Sequence, residues 1–263
     1  MSLIAESGPC TIEEVLSQPI PPKTKSYQPV SNKELVEMLY NVADSKGLKL
    51  TEPKWGMSRL GQRVFGTYKV ENQFNLDREA QFMLGVRNSS DKSLAAGVCF
   101  GCKVFVCSNL VFTGYANEEN GICGRVFHKH TVNVKDTFYQ RLQDALAQFE
   151  KFRNFQESFY RRLKEIEVDN DIAYATIVRA VMADAIPNKD VIRVAQSWLS
   201  QGKAPENEAE AQNWHKEFYP RNTWSLFNVF TDNHKSFQEK NPVEANKRSI
   251  NLTKLFHKEF VLN

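Results

Sequence analysis

Between residues 138 and 166 apolar side chains recur at alternating steps of four and three: Phe138, Leu142, Ala145, Phe149, Phe152, Phe159, Leu163 and Ile166, with Gln156 the one polar member of the series. Such spacing brings every member to one side of an α-helix and predicts a single helix about 45 Å long. A seam of this kind has to be covered. Either the chain's own later helices cover it, with Trp224, Leu226, Phe227 and Phe230 as the apolar residues on offer, or a second copy does, making residues 138–166 a homo-oligomer interface.

Upstream of the seam the period is different. Ser31 and Glu34 have the spacing of a capping box, and Leu35, Val36, Leu39, Val42 and Ala43 form a helical stripe that ends at Gly47. Segments rich in β-formers follow, around "LKLTE", "RVFGTYKV", "AQFMLGVRN" and "CKVFVCSNLVF", and then "GRVFHKHTVNV" at 124–134. Gly, Asn and Asp separate them, which predicts an antiparallel sheet. Residues 1–30 are rich in Pro, Ser, Thr and Lys and read as an extended arm, with regular structure beginning at Ser31. After the seam, helices are expected at about 170–185, 188–200, 206–217, 223–238 and 243–260. The expected architecture is α+β: an arm (1–30), a helix plus antiparallel sheet (31–134) crossed by the long helix, and a helical half (135–263) packed on the sheet as one domain.

With 263 residues, 41% of them hydrophobic, the chain is large enough to bury a sizeable core. It holds no apolar run long enough to cross a bilayer, and "MSLIAESGPC" lacks the pattern of a secretion signal, so a cytoplasmic location without membrane contact is expected. Cys10, Cys99, Cys102, Cys107 and Cys123 are odd in number and irregularly spaced, unlike a secreted disulfide framework, and are read as thiols. A net charge of +3 neither requires nor excludes a polyanionic partner, so local patterning has to decide.

Residues 87–109, "RNSSDKSLAAGVCFGCKVFVCSN", concentrate the chemistry. Cys107 with His130 as base and Asn109 or Asp91 as orienting group would make a Cys/His hydrolase-like centre, although Cys107 closes an apolar strand with no helix dipole to favour its thiolate. Cys99 and Cys102, completed by Cys107, Cys123, His128 or His130, would make a metal site, although a zinc ribbon's paired spacing is missing. Neither reading outweighs that of strand cysteines packed as small hydrophobes. No cofactor, metal or catalytic centre is therefore assigned.

The third reading is an anion-facing turn. Asn88 and Asp91 favour side chain-capped turns, Ser89 and Ser93 offer hydroxyls and, with the solvent-facing amides, can donate to phosphate, while Arg87 and Lys92 add charge. Lys129, His130 and Thr131 follow on the next strand. A plain hairpin connection is the competing explanation. Farther on, Arg153, Arg161, Arg162 and Lys164 alternate with Phe155, Phe159 and Tyr160, a pattern suited to single strands but diluted by Glu150, Glu157, Glu165 and Glu167. Lys235, Lys240, Lys247, Arg248, Lys254 and Lys258 outnumber the acids of the C-terminal segment and suggest a basic rim. Asp169 and Asp171 could pair on Mg²⁺ but suit a helix cap better. Phosphate-binding glycine loops and dinucleotide fingerprints are lacking.

The arm "TKSYQPVSNKELV", the segment "VFGTYKV", the core "LGVRNSSDKSLAAGVCFGCKVFVCSNLVFTG", "HKHT" at 128–131 and "TWSLFNVFT" at 223–231 together resemble the phage/plasmid-like family called domain of unknown function 932, over roughly residues 20–260. In that family His is usual where this chain has Ser90, and Asp is common where Ser108 stands. Cys107 belongs to the shared pattern; the Cys99/Cys102 pair does not. The resemblance implies a gene of phages, plasmids or integrated elements and assigns no activity. Taken with the turn and the basic segments, it leads to the expectation of a noncatalytic DNA-associated accessory protein, with nucleic-acid contacts at Arg87, Asn88, Ser89, Asp91, Lys92, Ser93, Lys129, His130, Lys247 and Arg248. A loose likeness of element order to phage annealing proteins adds single-stranded DNA to the forms considered, with strandedness left open. The alternative is a protein-binding module, such as an inhibitor of host defence or an oligomeric assembly factor.

Overall fold

The computed structural model describes residues 9–58, 60–71, 80–104, 109–111, 125–201, 220–238 and 242–262. The segment expected as an extended arm contains regular structure: strand β1 (Pro9–Cys10) and helix α1 (Ile12–Leu16). Thr11 and Glu14 form a reciprocal capping box on α1, and Val15 is fully buried. This corrects the arm's expected limits, since regular structure begins well before Ser31. A five-residue helix with one anchoring side chain leaves too short an apolar period to stand out among prolines.

Helix α2 (Asn32–Ser45) has the expected cap at Ser31. It ends where Gly47, at φ +67°, lets the Leu48 amide reach the Ala43 carbonyl and its own amide reach that of Asp44. The strands follow: β2 (Lys49–Met57), β3 (Arg63–Glu71), β4 (Ala80–Ser89), β5 (Ala96–Val104), β6 (Asn109–Val111) and β7 (Arg125–His128). All pair antiparallel in the order β1-β2-β3-β4-β5-β6. β7 lies along the same edge of β5 as β6, with β6 on Cys102–Val104 and β7 on Ala96–Cys99. A register shift between Thr51 and Lys54 takes up Pro53, which has no amide to give the ladder.

One face of the sheet is the floor of the core. Val64, Tyr68, Phe82, Leu84, Val86, Val98, Phe100 and Val126 are buried there. Gly66 leaves the space that the Trp55 ring fills: a Cβ on Gly66 would lie 2.6 Å from that ring. The apolar seam closes the core from above, as two helices: α3 (Val134–Ala147) and α4 (Phe149–Glu165). The single long helix is thus corrected. Gln148, at ψ 3°, turns its amide to the Ala145 carbonyl three residues back. The seam has two partners at this point, because α3 packs on α2 and β7 whereas α4 turns to the later helices.

At the junction Phe149 and Phe152 meet Phe82 and Phe100, with ring centroids 5.0–6.2 Å apart. The helical half continues with α5 (Asn170–Met182), a 3-10 turn (Asn188–Asp190), α6 (Val191–Leu199), α7 (Thr223–Gln238) and α8 (Pro242–Phe260). The helix expected at 206–217 lies outside the described residues. Tyr160 meets Trp224 at a tilt (4.8 Å between ring centroids) and Phe159 meets Phe227 edge-on (5.9 Å). The chain's own helices therefore cover the seam, and the surface on which the homo-oligomer expectation rested is buried within one copy. The protein has the α+β architecture read from its periodicities.

Candidate functional site

The polar residues at the end of β4 meet the arm. Strand alternation turns Asn88 to the same side as Val86, where its Nδ2 donates to the Val30 carbonyl and to Asn32 Oδ1, both at 2.9 Å. On the other side of Val30, its amide donates to His130 Nδ1 at 3.1 Å, and the Gln28 amide donates to the His130 carbonyl. Both backbone groups of Val30 are thereby held, and the arm is fastened across the sheet. Because Nδ1 accepts, the ring proton is on Nε2. Burial, aided by the charge of His128, lowers the His130 pKa and keeps the ring neutral.

The turn itself is closed by its own side chains. Ser89 Oγ accepts from the Leu94 amide and donates to the Leu94 carbonyl, and the Ser90 amide donates to Gln62. Asp91 accepts from the Ser93 amide, the Ser93 hydroxyl and Arg63 Nε. Burial alone would raise the Asp91 carboxyl; the Ser93 groups and the Arg63 guanidinium outweigh it and hold the pKa at about 2. Asn88 and Ser89 are only 2% and 3% exposed. Asn88 and Ser89 are directed inward, and the exposed Ser93 spends its amide and hydroxyl on Asp91, since a tight turn satisfies its polar groups locally before any ligand can.

The lysines remain exposed. Lys92, at φ +64°, sets its Nζ 4.5 Å from the centre of the Tyr27 ring, and that ring lies 5.7 Å from His130. Lys129 is exposed beside His130, and Lys23 and Lys25 are exposed just before Tyr27. Thr131 is exposed as well. Arg87 is on the opposite face of β4, its guanidinium 4.1 Å above the Phe127 ring, with Nε buried and unpartnered among the described residues. Burial lowers its pKa.

The other candidates are dispersed. Cys107 and Cys123 lie outside the described residues. Cys99 is buried and donates to the Phe100 carbonyl, and Cys102 belongs to the same strand, β5. His128 is tied to the Lys129 carbonyl. Among the described residues no three His, Cys, Asp or Glu gather as a metal group. Asn109 begins β6. Asp169 caps α5 by accepting from the Ile172 amide at 2.8 Å. Arg153 and Arg162 pair with Glu150 and Glu165, and Phe159 and Tyr160 are buried, so the interleaved aromatics of α4 face the core. Lys247 pairs with Asp184 and Arg248 with Glu244, so two of the six cations of the expected basic rim are ion-paired.

Sequence reasoning missed Tyr27, although an aromatic residue in a proline-rich arm was a usable signal. Around it lies a small cleft of about 20 Å³, between the arm, the β2–β3 turn and the end of β4. Gln18, Tyr27, Gln62, Asn88 and Ser90 contribute its polar groups and Pro19, Ile20 and Pro21 its apolar ones. Among the described residues no helix is long and apolar enough to cross a membrane.

The family model described as domain of unknown function 932 matches residues 23–255. No curated protein and no solved structure matches the chain significantly.

Proposed function

Since the chain belongs to that family, whose description assigns no activity, we propose from the chemistry of the arm seam that the protein is a noncatalytic DNA-associated accessory protein of a mobile element. One observation carries the reading. Lys92 sits over the Tyr27 ring, Lys129 is next to His130 in the chain and Lys23 and Lys25 precede Tyr27; all four are exposed, and none has an acidic partner among the described residues. Four unneutralised ammonium groups on a backbone held by Asn88 and His130 produce a local positive field that phosphates would meet without reorganising the protein. His130 acts here as a fastener, with Nδ1 occupied by Val30, which supports a binding role over proton transfer.

Counterion release makes this measurable. Fluorescence anisotropy with labelled single- and double-stranded DNA should show affinity falling as salt rises. A Lys92→Gln/Lys129→Gln variant should lose about 0.7 of log–log slope per contact on single strands, or about 0.9 on duplex. Lys247→Gln, whose charge already meets Asp184, should leave the slope unchanged. Undetectable or salt-insensitive binding to both forms would overturn the proposal.

A further inference from the structure

The seam on α3 and α4 is spent within one copy, so self-association has to use another surface. Half of the large apolar side chains left exposed among the described residues lie on α5 and α6. Met182 is 83% exposed and Val178 57%. Between Asp171 and Arg179 the sequence "IAYATIV" carries no charge, and a helix that is apolar on every side is ordinarily covered on every side. Ala173, Thr176, Ile177 and Ala180 form the buried inner face of α5. Among the described residues nothing covers the outer one.

That outer face consists of two neighbouring ridges with four-residue steps. Tyr174, Val178 and Met182 make an apolar ridge, all three exposed. Beside it Asp171, Ala175 and Arg179 make a second, with an acid and a base on either side of a small residue. The two charges are eight residues apart, about 12 Å along the axis, and do not pair within one helix. Turned end for end about Ala175, a second α5 sets its Arg179 against Asp171 and its Asp171 against Arg179, while the alanine lets the backbones approach. A two-fold axis satisfies the pattern twice. Arg179 donates from Nη1 to Glu259, yet its side chain stays 51% exposed and keeps further donors. Neighbouring α6 also leaves Ile192 and Leu199 exposed, seven residues apart on one side of that helix. With a net charge of only +3, two copies repel weakly.

We propose that α5 is a self-association surface, two copies pairing antiparallel across a two-fold axis at Ala175. One face of a 13-residue helix supplies less than the roughly 800 Å² per partner of a standard interface, so a dissociation constant on the order of 10 µM is expected.

Sedimentation velocity of the full chain, from dilute to concentrated solution, reads the mass directly. Melting temperature is measured in parallel at the dilute end. The parent should pass from monomer to dimer. Val178→Glu and Met182→Glu should stay monomeric with an unchanged melting temperature, because both side chains already meet water in one copy. Asp171→Arg and Arg179→Asp, each made with Glu259→Gln so that the partner within the copy does not enter, should weaken the dimer at least about tenfold, since the two-fold repeats the repulsion. The doubly reversed chain should recover the dimer, and the 12 Å between the two positions excludes a recovery within one helix. A parent that stays monomeric throughout would overturn the proposal and leave the face to a different protein. A dimer indifferent to Val178→Glu and Met182→Glu would overturn it too. Loss of the dimer in those variants without recovery in the double reversal would overturn the antiparallel pairing.

Discussion

His130 illustrates how one side chain can be read correctly as polar and misjudged in role. As a strand histidine beside Lys129 it suggested a phosphate contact or a base; in the fold its ring accepts the Val30 amide and its carbonyl accepts that of Gln28. The linkage has a definite sign. Burial lowers the folded-state pKa below the ordinary 6.5, so on acidification the unfolded chain takes up a proton at this ring before the folded chain does. The ring's effect on stability is therefore absent above about pH 6.5 and grows unfavourable as pH falls below it. Melting curves should show a declining midpoint from about pH 6.5 to 5 that flattens in His130→Gln, while the variant loses about 1–2 kcal/mol at pH 7.5 through its poorer acceptor for Val30. A decline of equal steepness in both proteins would remove His130 as its cause.

Among the elements, α3 and α4 were legible because a 3.5-residue period survives any choice of partner. Their division at Gln148 was not legible, since it arises from the partners: α2 and β7 for one half, α7 and α8 for the other. Phe152 lies where sheet and helices meet, fully buried against Phe82 and Phe100. Replacing it with Ala should cost about 3–5 kcal/mol in urea unfolding, an amount set by the cavity left between surfaces that cannot close on it. A loss below 1 kcal/mol would mean that the junction repacks. The short α1 was hidden for the opposite reason, its capping box being present in the sequence without enough apolar period to single it out.

In the whole molecule the sheet and the helical half share one hydrophobic cluster that runs from Trp55 to Trp198 and Trp224. If that continuity governs unfolding, the fluorescence of a variant keeping only Trp55 and the far-ultraviolet signal of the helices should change at the same urea concentration. Separate midpoints would divide the chain into two units. The cap of α2, the run of strands after it, the α+β class and the seam follow from the sequence alone, because periodicity and turn chemistry act over a few residues at a time. The cleft at Tyr27, the inward turn of Asn88, the fastening of Val30 and the neutralising of Lys247 were decided by tertiary structure. Each depends on residues dozens of positions apart, and which of two polar groups will face water is settled only when packing brings their partners together.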